Sequence, residues 1–183
     1  MDDIKKKDGF SFSLDYFSRR EEGDIPYQVL LLDKKTTYRK GINYAIANGI
    51  DKIEVVLDLS EKELALLKNI PLKGLSIRGI QSKVNITFLN ELEALEYFHT
   101  NSQLNGEIDF CKLKNLTHLS YDATNLNITN IEKADKLKEL YIYNYPKSAF
   151  ASFGNIEIEK VFIYHSFITN LDALSENVSS LKA

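Results

Sequence analysis

The chain has 183 residues and a formal net charge of −3, with 44% hydrophobic and 27% charged residues. These proportions are ordinary for a folded domain. Lysine and arginine form no dense stripe apart from Lys5–Lys7, so the sequence argues against a nucleic-acid partner.

Cysteine content and hydropathy predict a cytoplasmic location. Cys111 is the one cysteine in the sequence, which excludes an intrachain disulfide, whereas small secreted domains usually carry several. The first residues lack the apolar stretch of a signal peptide, and no apolar run approaches the roughly 18 residues that span a bilayer. We therefore expect a cytoplasmic protein with no membrane partner.

Residues 1–24 are predicted to form an N-terminal tail and cap. We expect Lys5–Lys7 to be a solvated, disordered tail, as is common near chain termini. Residues 10–14 read Phe-Ser-Phe-Ser-Leu, and this alternation of apolar and polar residues predicts a strand with one buried face. That strand is expected to cover the first unit of a domain over residues 25–183.

Two segments carry helix signals. Residues 36–48 are followed by Gly49, a typical stop after the last turn, and therefore predict a helix. Ser60 and Glu63 have the spacing of a capping box. They come before a group of apolar residues that predicts a second helix, namely Leu64, Leu66, Leu67 and Ile70.

An internal repeat runs through residues 27–178. Residues 116–126 read L-x-x-L-x-Y-x-x-T-x-L, and the first three apolar positions of this pattern recur along the chain. The first position is occupied in turn by Tyr27, Ile50, Leu72, Leu95, Leu116, Leu137 and Ile158. The successive spacings are 23, 22, 23, 21, 21 and 21 residues. Buried strands or helices of an ordinary domain would not recur so evenly.

The fourth and sixth positions of each repeat predict a strand with one apolar side. Side chains alternate across a strand, so Leu140 and Ile142 would face the same side. A repeat offers roughly four apolar side chains, each contributing about 1.5–3 kcal/mol when buried. Ordering its more than twenty residues costs more than that. We therefore expect Leu119, Leu140 and Val161 to line up on neighbouring parallel strands around a shared core.

This period and pattern resemble the leucine-rich repeat family, whose units run L-x-x-L-x-L-x-x-N/C-x-L over 20–29 residues. The resemblance implies an α/β solenoid of about seven coils, with a parallel sheet on the concave face and helices or irregular turns on the convex face. Asn127–Ile131 resembles the shorter return segments of the internalin-type subgroup. The ninth position departs from the family pattern of Asn or Cys, since it holds Asp58, Ile80, Thr124, Tyr145 and Ser166.

The last unit of the predicted solenoid over residues 25–183 is incomplete. Val178 and Leu181 fit the first and fourth positions of an eighth repeat, and the sequence stops at Ala183. Such an end would expose a sheet edge and part of the core. Either the natural chain continues, which is the simpler explanation, or this edge meets a second chain and the protein self-associates.

The resemblance also implies which side chains contact a partner. In the family, the variable positions of the strand face the concave side, and large rigid rings there bury much area at small entropic cost. In this chain these positions include Tyr141, Tyr143, Phe162, Tyr164, His99, His118, His165 and Asp122. We predict that these residues bind a partner. Alternatively, the rings pair only with one another or with further repeats, and the histidines are simply solvated.

The sequence carries no catalytic or cofactor motif. It lacks the glycine-rich phosphate loops, and one cysteine with three scattered histidines gives no zinc-site spacing. Cys111 is expected to be a small buried hydrophobic residue. We therefore predict no enzyme activity, metal or cofactor, and a module that binds another protein. The alternatives are a scaffold or regulatory domain of a longer enzyme, and a bacterial toxin-neutralising, immunity-like protein.

Overall fold

A computed structural model describes residues 4–15, 17, 27–81, 83–148, 156–170 and 178–182. This part of the chain is mixed α/β, with one large, mostly parallel sheet and few helices. The strands are β1 (Ile4–Lys7), β2 (Phe10–Leu14), β3 (Tyr27–Leu32), β4 (Lys52–Val56), β5 (Gly74–Arg78), β6 (Tyr97–Thr100), β7 (Gly106–Asp109), β8 (His118–Asp122), β9 (Leu126–Thr129), β10 (Glu139–Tyr143), β11 (Ile158–Tyr164) and β12 (Val178–Lys182). The helices are α1 (Lys35–Asn48) and α2 (Glu61–Leu64), and 3-10 turns cover Ala65–Asn69, Thr87–Glu91 and Ile131–Lys133.

The ten strands of the large sheet follow the chain almost in order. They lie side by side as β1-β2-β3-β4-β5-β6-β8-β10-β11-β12, while β7 and β9 form a separate pair. β2 is antiparallel to both β1 and β3. From β3 onward every neighbouring pair in the large sheet is parallel. The predicted parallel sheet and the predicted strand at residues 10–14 are therefore confirmed.

The register of the parallel strands aligns the fourth positions of all the repeats. Leu140 lies opposite Leu119 on β8 and opposite Val161 on β11, as predicted. The same row runs across the sheet through Leu30, Ile53, Leu75, Phe98, Leu119, Leu140, Val161 and Leu181. From Leu30 to Val161 these side chains are buried in one continuous core.

Forked backbone hydrogen bonds fix this register at the start of β5, β6, β8 and β10. The carbonyl oxygen of Thr117 accepts from the N–H groups of Lys138 at 2.8 Å and Glu139 at 3.1 Å. The carbonyl groups of Asp51, Lys73 and Glu96 accept two N–H groups of the next strand in the same way. Because the second position of these four repeats makes this forked contact, the strands that it joins cannot slip without losing both bonds.

Both predicted helices form, but the second is shorter than expected. α1 packs Tyr38, Ile42 and Ala45 into the core. It ends at Gly49, which adopts a left-handed conformation with φ of 62°. The capping box of Ser60 and Glu63 is present at α2, yet only one turn is α-helical before the chain tightens into a 3-10 turn. Among the described residues, none of the helices has the length and apolar character needed to cross a bilayer.

The return segments of two repeats form the small sheet, which the sequence did not predict. β7 and β9 pair in parallel, and Ile108 on β7 is fully buried. Gly106 begins this strand with φ of 122°, a conformation that side-chain-bearing residues rarely adopt. An added Cβ there would lie 3.0 Å from Thr87 Oγ1 and 3.3 Å from the backbone nitrogen of Ile86.

Asparagine side chains join the return segments of successive repeats. Asn90 Nδ2 donates to the carbonyl oxygen of Glu107 at 3.0 Å, and the N–H of Asp109 donates to Asn90 Oδ1 at 3.0 Å. One repeat later, Asn130 Nδ2 donates to Asp109 Oδ1 at 2.8 Å. These bonds connect residues 17 to 21 positions apart, so each return segment is held by its neighbours as well as by the core.

Two local predictions are wrong. Lys5–Lys7 is not a disordered tail but belongs to β1, because pairing with β2 satisfies its backbone while the lysine side chains stay exposed. Cys111 is exposed rather than buried. Phe110 and Leu113 take the buried positions around it, and Cys111 lies in the turn where its N–H donates to Asp109 Oδ1.

We expect Leu140→Ala to destabilise the protein strongly, because Leu140 is fully buried in the row of aligned aliphatic side chains. The free energy of unfolding, measured by urea denaturation, should fall by about 2–5 kcal/mol. Ile46→Ala is a matched control, since Ile46 is half-exposed on α1, and should change it by no more than about 0.5 kcal/mol. Equal losses in both variants would contradict the proposed core.

Candidate functional site

The candidate site lies on the outer face of the large sheet, meaning the face that carries the third, fifth and seventh positions of the repeats. Two pairs of rings stack there between β10 and β11. The Tyr141 and Phe162 centroids are 4.4 Å apart with a ring angle of 6°, and those of Tyr143 and Tyr164 are 4.9 Å apart with an angle of 14°. We call these four residues the aromatic patch.

The strand register explains why the rings of the aromatic patch stack. Tyr141 lies directly opposite Phe162, and Tyr143 directly opposite Tyr164, on adjacent parallel strands. Strands in a sheet are about 4.8 Å apart, which matches the ring separations. Burial, together with the neighbouring Tyr164 and Tyr141, raises the pKa of Tyr143. Tyr164 is the most exposed ring of the four, at 37%.

A buried carboxylate supports one side of the aromatic patch. Glu139, on β10, is only 3% exposed. Its carboxylate accepts hydrogen bonds from the Tyr141 hydroxyl at 3.0 Å and from Lys160 Nζ at 3.2 Å. His118 Nε2 lies 3.8 Å away from the same group. Since a buried carboxylate must keep its partners, Glu139 holds the Tyr141 ring in a fixed orientation.

His118 is held between β6 and β10 rather than standing free on the surface. Its ring stacks on Tyr97, with centroids 5.5 Å apart. Its Nδ1 atom lies 2.7 Å from the Thr117 hydroxyl oxygen. His118 on β8 lies near Glu139 on the adjacent strand β10, and Glu139 accepts a hydrogen bond from Tyr141. His118 is therefore connected to the aromatic patch through Glu139.

Asp122 and His165 occupy the turns at the carboxyl ends of the strands. Asp122 is 8% exposed, and its two carboxylate oxygens accept from the Thr124 N–H and from Asn144 Nδ2, both at 2.8 Å. Asn144 and His165 are both eighth-position residues with left-handed backbones, with φ of 55° and 51°. Asp122 therefore stabilises a turn and offers a partner little surface, whereas His165 is exposed.

His99 lies apart from the aromatic patch. It is on β6, and β8 separates β6 from β10 in the large sheet. Burial, with a smaller contribution from the Arg78 guanidinium, lowers the pKa of His99 below its ordinary value. The structure thus brings the four rings together, connects His118 to them, leaves His165 and Asp122 at the adjoining turns, and separates His99.

The sequence analysis did not identify Glu139 and Lys160 as site residues. The signal was available, because both occupy the third position of their repeats, as His118 does. Reading that position along β8, β10 and β11 gives His118, Glu139 and Lys160, which lie side by side in register. A basic, an acidic and a basic residue on adjacent strands predict a charged row, whereas their burial depends on the surrounding structure.

Comparison of the chain with models of known protein families, with curated proteins and with solved structures gives no match. Within the part of the chain that the structure describes, no three His, Cys, Asp or Glu side chains converge in a way that could hold a metal ion.

We expect the His99 imidazole to titrate below the ordinary value of about 6.5, as followed by NMR of its ring protons. Because the folded chain binds this proton more weakly than the unfolded chain does, His99 lowers the free energy of unfolding as the pH falls from 6.5 through its folded pKa. Arg78→Met should raise the His99 pKa part of the way, since burial remains. Titration at or above the ordinary value would contradict the buried environment.

Proposed function

We propose that the chain is a non-catalytic, cytoplasmic protein-binding module built as a divergent leucine-rich repeat solenoid of about seven coils. In this proposal the outer face of the large parallel sheet, which carries the aromatic patch, is the concave face of the solenoid, and it binds another protein together with the flanking loops. The observation that carries the proposal is the two pairs of stacked rings that Tyr141, Tyr143, Phe162 and Tyr164 form on adjacent strands.

The solenoid is supported by contacts that repeat at the sequence period. Eight parallel strands align their fourth positions in one row, and side-chain hydrogen bonds recur between residues one repeat apart. The unusual ninth position has a substitute for the family's asparagine. The N–H of Ile80 donates to Ser102 Oγ, and that of Tyr145 donates to Ser166 Oγ, both at 3.1 Å. A serine hydroxyl of the next repeat thus accepts the hydrogen bond of the backbone N–H group in the turn.

Protein binding is supported by rigidity as well as by composition. Stacking restrains the rings of the aromatic patch, and the hydrogen bond from Tyr141 to Glu139 restrains one of them further. A side chain that is already ordered loses little entropy when a partner covers it, so more of the interaction free energy appears as affinity. Aromatic residues are also enriched among the residues that dominate protein interfaces.

The strand residues alone are too small a surface for tight binding. Seven strands about 4.8 Å apart, each about four residues long, cover less than about 400 Å². A standard interface buries about 800 Å² on each partner. The adjoining turns must therefore contribute, and they expose suitable groups next to the aromatic patch: His165 follows Tyr164 directly, and Phe167 is 77% exposed.

The double variant Tyr143→Ala/Tyr164→Ala tests the proposal. It removes one whole stack, and we expect it to weaken binding of a purified partner at least about tenfold, because anchor residues of this kind contribute 1–2 kcal/mol or more each. Partners are first identified by affinity capture with quantitative mass spectrometry and are then measured individually by calorimetry.

Ile46→Ala is the control, since Ile46 is an exposed apolar residue on α1, away from the strands of the outer face. It should leave the affinity unchanged. Circular dichroism of all variants checks that the fold is retained. Partners that bind the double variant and the wild type equally would remove the aromatic patch from the interface.

A further inference from the structure

A cavity of about 190 Å³ lies on the outer face of the sheet, among residues of β2 to β6. It is separate from the aromatic patch, because β8 lies between β6 and β10. Charged and aromatic side chains share its lining, which includes Phe17, Glu54, Ser76, Arg78, Tyr97 and His99. Cavities with an apolar wall and a few converging polar groups are typical of ligand sites.

A buried carboxylate holds the Arg78 guanidinium at this cavity. Glu54 is 6% exposed and accepts a hydrogen bond from the Ser13 hydroxyl at 3.2 Å. It also pairs with Arg78 Nη2, while the Arg78 side chain remains 45% exposed. A ligand that enters from solvent therefore meets the cation first. A guanidinium has five N–H donors, so the bond to Glu54 leaves donors for a second anion.

The residues directly opposite Glu54 on the two neighbouring strands are uncharged. Its neighbour in register on β3 is Leu31, and its neighbour on β5 is Ser76. Removing a carboxylate from water is costly, and an apolar residue at such a position is often equally stable or more stable. Packing alone therefore does not explain the buried carboxylate of Glu54. Its role is to orient the exposed guanidinium of Arg78.

His99 and Ser76 add uncharged polar groups to the same cavity. Ser76 lies in register between Glu54 on β4 and His99 on β6. Burial and the nearby Arg78 lower the pKa of His99, so its ring is neutral at pH 7. A neutral imidazole can donate one N–H to an anion without competing with Arg78 for Glu54.

Two aromatic rings form the apolar wall of the cavity. Phe17 and Tyr97 have centroids 4.6 Å apart and a ring angle of 51°. Phe17 reaches this place because residue 74 is glycine: a Cβ there would lie 2.6 Å from Phe17 Cδ2. Next to Phe17, the fully buried Asp15 accepts from Lys52 Nζ at 2.6 Å, and its Oδ1 atom accepts from the N–H of Phe17 at 3.1 Å. The wall is therefore part of the packed structure.

We propose that this cavity binds a carboxylate carried on a small, flat apolar body. The carboxylate pairs with Arg78 and accepts from His99 or Ser76, while the body packs against Phe17 and Tyr97. Cavities for drug-sized ligands hold about 300–1,000 Å³, so this smaller one suits a single ring or a single residue. The source is either a free small acid or the C-terminal residue of a peptide.

Benzoate is the first probe, with benzamide as its uncharged isostere. We expect benzoate to shift the amide resonances of β4, β5 and β6 in ¹H–¹⁵N spectra with a saturable, millimolar dissociation constant, and to raise the His99 pKa. Benzamide should bind at least about tenfold more weakly, because it cannot form the charge-assisted pair with Arg78. A Gly-Gly-Phe peptide with a free C-terminus that binds more tightly than benzoate identifies a peptide C-terminus as the ligand, and tighter binding of benzoate identifies a free acid; the amidated peptide should bind more weakly than the free one because it lacks the carboxylate.

Three variants separate the site from a general effect of charge. Arg78→Met should weaken benzoate binding at least about tenfold, whereas Arg39→Met removes a guanidinium from the exposed side of α1 and should have no effect. Gly74→Ala should weaken binding by displacing Phe17 while leaving Arg78 in place. Circular dichroism and urea denaturation confirm that each variant is folded.

The proposal fails if no saturable shift appears, if benzamide binds as well as benzoate, or if Arg78→Met binds benzoate normally. It does not depend on the aromatic patch, so Tyr143→Ala/Tyr164→Ala should retain benzoate binding. Loss of benzoate binding in that variant, with the fold intact, would show that the two regions are not separate and would also overturn the assignment.

Discussion

The structure depends on one constraint: the fourth positions of the repeats form a row of buried side chains from Leu30 to Val161, held by parallel strands in a single register. A repeat that stood alone could not offset the conformational entropy of its more than twenty residues. Side by side, the strands bury Leu119, Leu140 and Val161 against one another, and backbone hydrogen bonds join the starts of neighbouring strands. Slippage by one residue would turn this row outward and open the core.

This register also creates the outer face. Because side chains alternate across a strand, fixing the fourth position inward directs the third, fifth and seventh outward, each as a column of residues one repeat apart. The stacked rings belong to the fifth and seventh columns, and His118, Glu139 and Lys160 belong to the third. The chemistry of this face is thus set by which residues recur at intervals of 21 to 23 positions.

Buried carboxylates recur on the outer face and have a common consequence. Glu54, Asp122 and Glu139 are each under 9% exposed, and they accept hydrogen bonds from Arg78, Asn144 and Tyr141, respectively. An ionised carboxylate away from water retains its partners because losing them leaves an uncompensated charge. Arg78 and Tyr141 are consequently held in place before any ligand or partner arrives, which limits the entropy lost on binding.

The sequence by itself determined the periodic part of this protein. The spacing of apolar residues predicted the parallel strands and their register, Gly49 predicted the end of α1, and position within the repeat predicted that Tyr141, Tyr143, Phe162 and Tyr164 would adjoin. These features follow from local periodicity and turn chemistry, which act between a residue and its equivalents in the neighbouring repeats.

Only the tertiary structure decided which non-repeating segments pack against the sheet and which side chains they bury. The repeat did not predict several features of the structure. These are the pairing of Lys5–Lys7 into β1, the small sheet of β7 and β9, the exposure of Cys111, the burial of Asp122 and the packing of Phe17 over Gly74. A period relates one repeat to the next, but it says nothing about segments that do not repeat. Burial and cavity shape depend on how those segments pack against the sheet, and this packing is long-range in sequence.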